Sequence, residues 1–329
     1  MRPAHHDNGE RTGLIVKMHR KVVVIGAGSV GTTYIYALLP TGLASEIALI
    51  DLDAKRVEGE IMDLSHGLPF ISPVSVKAGT YDDCTNAHLI VVTAGAKQTP
   101  GQSRSELIQK NAEIVRSICE QIRRSGSTAV VVMVTNPVDT LTQIAQKHLE
   151  LPRGRVIGSG TVLDSARFKY MLSRHCGIDA RNVHAYVLGE HGDSEVPAWS
   201  MTHIAGIPIR EYCEICNVCD YPRHHEEIAR EVRDSAYHII DYKGSTFYGI
   251  GLSLLRISGA ILRDEHSVLT VSTLLQGEYG LKDICLSVPC IVAESGVERI
   301  VAARLPPAEQ KGLERSAEVL RGVLQSTSV

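Results

Sequence analysis

The sequence predicts an α/β fold, a doubly wound parallel sheet followed by a mixed α+β half, and three observations carry that expectation. Apolar, β-branched runs at 21–25, 47–50, 89–93 and 129–134 alternate with stretches of helical spacing at 30–42, 53–64, 105–123 and 138–149. A glycine-rich turn, Gly26-Ala-Gly28-Ser-Val30-Gly31, joins the first run to the first helix. Beyond about residue 160 the pattern changes to long helices at 161–175, 225–243 and 307–325 around strand-like pieces near 183–188, 267–272 and 284–292. Strand, helix and strand repeated in this way call for a parallel sheet with helices on both faces.

Composition bounds the rest. The 329 residues give room for two domains, and 44% hydrophobic with 22% charged residues excludes a disordered chain. Thirty-four Lys+Arg against 37 Asp+Glu leave a net charge of -3, with no basic excess to condense on nucleic acid or anionic lipid. Apolar runs such as 129–134 are far short of the ~18 residues that span a bilayer, and Leu14-Ile-Val16 is too short for a secretory signal. The expectation is therefore a cytoplasmic protein without nucleic-acid or membrane partners. Eight scattered Cys in apolar settings suit reduced core thiols better than disulfides. Residues 1–18 read as a flexible extension, 19–160 as a dinucleotide-binding domain and 161–329 as a catalytic domain, with an approximate boundary.

Taken in order, Val22 to Ile25 runs straight into the GxGxxG turn. Gly26 permits the tight turn, Gly28 lets backbone approach a pyrophosphate, and Gly31 lets helix pack on strand, while the first helical amides, around Val30, face the anion. The next apolar run ends at Asp51, whose carboxylate suits ribose hydroxyls and repels a 2'-phosphate, favouring NAD over NADP. A glycine turn alone also fits an ordinary strand-to-helix junction; the placed acid makes the arrangement Rossmann-type. Thr93-Ala-Gly95 and Thr135-Asn136-Pro137 follow later strands and fall at the same carboxyl edge, where open sheets bind ligands. Asn136 is a candidate contact for the nicotinamide end, or simply a turn-forming Asn before Pro.

In the second half, Gly189-Glu-His191-Gly-Asp193 follows an alternating run, and Asp164 and Arg167 lie three apart, on one face of a helix. Beside a nicotinamide these parts suit hydride transfer coupled to proton transfer. A histidine with pKa near 6.5 can give or take the proton, an aspartate can orient its ring, and an arginine can grip a carboxylate through two hydrogen bonds. Singly they read as a structural histidine and a surface ion pair; their joint occurrence after a dinucleotide fold points to a reaction site. In the last helix Leu313, Ala317, Leu320 and Leu324 mark one buried stripe.

From Lys21 to about Leu324 the sequence resembles the bacterial-type L-lactate dehydrogenases of the lactate/malate dehydrogenase superfamily. The resemblance rests on GAGSVG at 26–31, TNPVD at 135–139, DSARF at 164–168, GEHGDSE at 189–195 and SVPC at 287–290. It implies that His191 donates and accepts the proton, with Asp164 as its partner and Arg167 as the carboxylate clamp. It further implies a mobile loop over 96–104 whose Arg104 polarises the ketone oxygen and whose closure excludes water. Gln98 faces the substrate's variable end, where malate dehydrogenases carry Arg; an uncharged residue suits pyruvate's methyl group better than a second carboxylate. Thr246 matches the small hydroxyl residue that shapes a pocket for short side chains. Gln102 departs from the Glu of many relatives, with a modest effect on loop closure expected. Lys169 and His184 stand where relatives activated by fructose 1,6-bisphosphate place basic residues across a subunit interface, and the resemblance also implies a homotetramer.

Cys213, Cys216 and Cys219, followed by His224-His225, superficially suggest a metal site, but the spacing fits neither paired CxxC motifs nor a cluster run, and no metal is expected. The function expected is NADH-dependent reduction of pyruvate to L-lactate, with malate or another 2-hydroxyacid dehydrogenase as the alternative. NAD-dependent glycoside hydrolysis would need a metal-binding Cys/His set, and an NAD sensor would have a damaged catalytic set.

Overall fold

The computed structural model describes residues 19–97, 103–216 and 223–327, with backbone alone at Arg104 and Arg223. The expected extension at 1–18 lies outside the described residues. The first half alternates β1 (Lys21–Ile25), α1 (Ser29–Leu38), β2 (Glu46–Ile50), α2 (Ala54–His66), β3 (Ser75–Ala78), β4 (Leu89–Val92), α3 (Arg104–Arg124), β5 (Val130–Met133), α4 (Val138–Leu149) and β6 (Val156–Gly158). The second half opens with α5 (Val162–Cys176) and five two-residue strands, β7 (Val183–His184), β8 (Val187–Leu188), β9 (Val196–Pro197), β10 (His203–Ile204) and β11 (Ile207–Pro208). It continues through α6 (Ile209–Cys216), α7 (Arg223–Lys243), α8 (Tyr248–Leu262), β12 (Ser267–Gln276), β13 (Lys282–Ala293), β14 (Gly296–Ile300) and α9 (Pro307–Ser326).

The main sheet runs β14-β13-β12-β6-β5-β4-β1-β2-β3. Strands β1 to β6 are parallel, and the strand order reverses direction between β1 and β4, the point at which open α/β sheets bind their ligands. The antiparallel β12–β14 meander continues the same sheet across both halves through the pairing of Ser272 with Gly158. Alternate residues of each strand feed opposite faces. Val22, Val24, Leu49, Val91 and Val132 join α1 and α8 on one side, while Val23, Ile25, Ile90, Val131 and Met133 meet α3 and α4 on the other. A third cluster, around Phe168, Leu172, Val187 and Val232, fastens α5 to α7.

Several elements differ from the sequence reading. The first helix ends at Leu38 and tightens into a 3₁₀ turn over Leu39–Thr41, because Pro40 has no N–H to continue the helix. The run at 183–188 divides into β7 and β8. Helix α8 was not expected: Gly249, Gly251, Ser253, Ser258 and Gly259 lower its propensity, and it buries apolar residues around much of its circumference, so no clean stripe marks it. Burial pushes the thiols of Cys84 and Cys119 up to about 12, which keeps them protonated and inert. Among the described residues, no helix is long and apolar enough to cross a membrane.

Candidate active site

The glycine turn lies at the carboxyl end of β1, beside the switch point. Gly26 has φ +116°, and a Cβ there would fall 2.6 Å from the Ala94 nitrogen. A Cβ on Gly31 would come within 2.1 Å of the Gly26 carbonyl oxygen, so only glycine lets α1 sit this close to the turn. At Gly28 a Cβ would meet nothing within 4 Å, which leaves an open approach to the backbone in front of the amides of Ser29, Val30 and Gly31. Asp51 is turned toward the same loop, its Oδ2 accepting from the Ala27 amide at 2.6 Å and its Oδ1 from Asp53 at 3.1 Å. These residues fit a dinucleotide: a donor-rich cradle for a pyrophosphate, with a carboxylate one strand away for a ribose.

The neighbouring loops are tied to this cradle. Thr93 donates its hydroxyl to the Gly26 carbonyl at 3.0 Å, and Thr135 donates to the Ala94 carbonyl at 2.7 Å. A Cβ on Gly95 would lie 2.3 Å from the Thr135 methyl group, so Gly95 allows the two loops to touch. Buried Asn111 of α3 staples them, accepting from the Ala96 amide at 2.8 Å and donating to the Asn136 carbonyl at 3.1 Å. Asn136 itself is exposed at the end of β5.

The second cluster meets this edge from α5 and the 189–195 loop. His191 Nδ1 lies 2.6 Å from Asp164 Oδ2, and Arg167 Nη1 donates to Asp164 Oδ1 at 2.7 Å, so one buried carboxylate holds both cations. The His191 ring is a quarter exposed, which leaves its face toward the cleft accessible. Burial disfavours the imidazolium, but the Asp164 carboxylate, helped by Asp139 and Glu195, outweighs it and raises His191 to about 9. For Asp164 burial works the other way, and His191 and Arg167 together hold its carboxyl below the usual range.

The loop that carries His191 is pinned from three directions. Its backbone N–H donates to Asp139 Oδ2 at 2.8 Å, Gly189 pairs with Ser287 of β13, and the Glu190 amide donates to Ser316 of α9 at 2.6 Å. Burial, offset in part by the His191 N–H and charge, lifts the Asp139 carboxyl to about 6. The sequence reading passed over Asn111, Asp139 and Glu195. Asn111 interrupts the apolar row Ile108, Ala112 and Val115, a signal that could have found it, whereas Asp139 and Glu195 stand among other polar residues of their motifs and carry no such mark.

Gln98 and Gln102 lie outside the described residues. Arg104 begins α3, whose start is fixed by a capping box in which the Glu106 amide donates to Ser103 Oγ at 3.2 Å. Thr246 is half-buried in the turn between α7 and α8, where Lys243 Nζ sits 3.6 Å from the Phe247 ring centre. Lys169 Nζ lies 5.5 Å from the Tyr186 ring centre, and exposed His184 faces His203 across the β7–β10 pair. Cys219 lies outside the described residues; Cys213 Sγ is 3.9 Å from His225 Nε2, whose ring stacks on Trp199.

Residues 20–158 match the model of the lactate/malate dehydrogenase NAD binding domain, and residues 161–328 match that of the lactate/malate dehydrogenase alpha/beta C-terminal domain. The chain belongs to the lactate/malate dehydrogenase family. It is an NAD-dependent dehydrogenase of that family, and the cradle above is where its cofactor fits. An L-lactate dehydrogenase of Treponema denticola is 55% identical over 304 residues, 92% of this chain and 96% of that one. L-lactate dehydrogenase 1 of Clostridium acetobutylicum is 48% identical over 94% of this chain and 99% of that one. The crystal structure of the minor L-lactate dehydrogenase from Enterococcus mundtii in its ligands-bound form superposes with a TM-score of 0.92 at 43% identity, covering 94% of this dehydrogenase and 99% of that chain.

Proposed function

We propose that the chain catalyses the reversible reduction of pyruvate to L-lactate, with His191 as acid and base. The observation that carries this reading is the Asp164 carboxylate shared by His191 and Arg167, at 2.6 and 2.7 Å, at the edge of the dinucleotide cradle. Bound NADH supplies the hydride. Arg167 uses one edge of its guanidinium on Asp164 and offers the other to the substrate carboxylate; such charged hydrogen bonds contribute about 1.5–3 kcal/mol each. His191, protonated at neutral pH, points its Nε2 proton at the ketone oxygen and delivers it as the alkoxide forms, and Asp164 keeps the ring in the matching tautomer. In the reverse direction neutral His191 takes the hydroxyl proton of lactate. Arg104 adds a further donor to the ketone oxygen, and Gln98 presents an uncharged wall to the methyl group.

Gln98 carries the choice between lactate and malate chemistry. The kcat/KM for pyruvate should exceed that for oxaloacetate, and Gln98→Arg should reverse the preference by supplying a partner for the second carboxylate. A parent enzyme that favours oxaloacetate overturns the assignment. Lys169 and His184 support a further element of this reading, a fructose 1,6-bisphosphate site built from two subunits, in which Lys169 acts as a point charge on a phosphate and His184 adds a ring nitrogen.

A further inference from the structure

We propose that Glu195 is a positioning acid that carries a second functional proton of the active site, and that it must be neutral for a substrate carboxylate to dock on Arg167. The inference rests on the functional reading above and adds a residue to it. Glu195 is buried, 7% exposed, on the loop that carries His191, and its Oε1 has no hydrogen-bond partner. A carboxylate left without partners in such a place is strongly disfavoured, whereas a carboxylic acid is not.

The groups that face it define its proton affinity. On its own loop are Glu190, which accepts from the Ser194 hydroxyl, and Asp193, which accepts from the Tyr237 hydroxyl at 2.6 Å. Asp164 and Arg167 face it from α5, with His191 beside them, and Arg233 faces it from α7. Arg233 and, from α9, Arg315 line with it a cavity of about 500 Å³. Burial and the Asp164 charge raise the Glu195 carboxyl to about 8, although His191, Arg167 and Arg233 pull it down. At neutral pH Glu195 therefore adds no charge of its own, and Asp164 is the carboxylate bonded to both Arg167 and His191. The substrate brings a carboxylate of its own to Arg167. Ionised Glu195 would set a further negative charge against it and divert part of the Arg167 field, so binding and the loss of this proton oppose each other.

The test compares the parent with Glu195→Gln, which keeps the shape of the neutral acid, and with Glu195→Ser as a second uncharged replacement. In the parent, log(kcat/KM) for pyruvate bends near pH 8 and again near 9, so that it falls about a hundredfold per pH unit above both bends. Each variant keeps only the His191 bend, moved lower because the Glu195 charge that helps hold that proton is gone, and falls about tenfold per unit above it. Superimposed profiles overturn the proposal. A readout without substrate checks the same proton: the Tm of each variant minus that of the parent should grow as pH rises from about 4.5 to 8, because over that window the folded parent binds a proton that its unfolded chain has released. A Tm difference that stays flat over that window overturns it as well. A parent that turns over no pyruvate at pH 7 overturns the functional reading instead, an outcome distinct from superimposed profiles.

Discussion

His191 stands where four carboxyl groups from three segments converge, and their division of labour explains its behaviour. Asp164 bonds the ring, Asp139 bonds the backbone of the same residue, Glu190 is occupied by Ser194, and Glu195 remains buried without a partner for one oxygen. Asp164 thus sets both the charge and the orientation of the ring, and Asp139 fixes the backbone that carries it. Because the imidazolium persists to about pH 9, at saturating substrate, where docking on Arg167 no longer limits, pyruvate reduction should hold its rate through neutrality and fall as pH rises through that value, while lactate oxidation should climb over the same range. Initial rates in both directions against pH check the sign, and parallel profiles would contradict it. His191→Asn should lower kcat for reduction by about a thousandfold, within the usual contribution of a positioned acid; steady-state kinetics of a variant with an unchanged Tm would measure it. At this scale His191, Asp164 and Arg167 were legible because motif and spacing name them together. Asp139 and Glu195 were not singled out, since their importance lies in burial, which a linear sequence does not display.

At the scale of elements, the functional groups are held by close approach more than by long-range bonds. The turn at 26–31, the loop at 93–96 and the loop at 135–137 touch through Gly26, Gly31 and Gly95, and threonine hydroxyls with Asn111 close the gaps between them. Gly31→Ala would place a methyl group 2.1 Å from a backbone oxygen, and the turn must open to admit it. The expected cost is about 2 kcal/mol in stability together with a clearly weaker Kd for NADH; denaturant unfolding and fluorescence titration measure the two, and an unaltered Kd would show that the cradle tolerates a wider turn. Strands β1, β2, β4 and β5 were legible because buried parallel strands read as unbroken apolar runs. Strand β3 is an exposed edge strand, Ser-Val-Lys-Ala, with no apolar run, β6 has only three residues, and α8 lacks the one-sided stripe by which helices announce themselves.

For the whole molecule, large apolar side chains stand in water on two faces: Leu52, Met62 and Phe70 on and around α2, and Tyr237, Ile240 and Tyr242 on α7. Exposed apolar surface of this kind suits contacts with other chains, and the homotetramer that the family resemblance implies is the expectation to test. Sedimentation equilibrium should return the mass of four chains, and fructose 1,6-bisphosphate should lower the pyruvate concentration needed for half-saturation. A monomer, or saturation curves indifferent to the bisphosphate, would contradict this. Assembly was the least legible property of the sequence, because an apolar residue at an interface and one in a core look alike until the fold separates them. One more consequence belongs to the sheet that both halves share. Severing the polypeptide between Gly158 and Val162 would strip β6 of its neighbour β12 and uncover the α1 surface on which Leu254 and Ile257 rest. Each fragment would then offer strangers a raw β margin and a greasy flank, so the halves should prove insoluble apart and recover only when produced together.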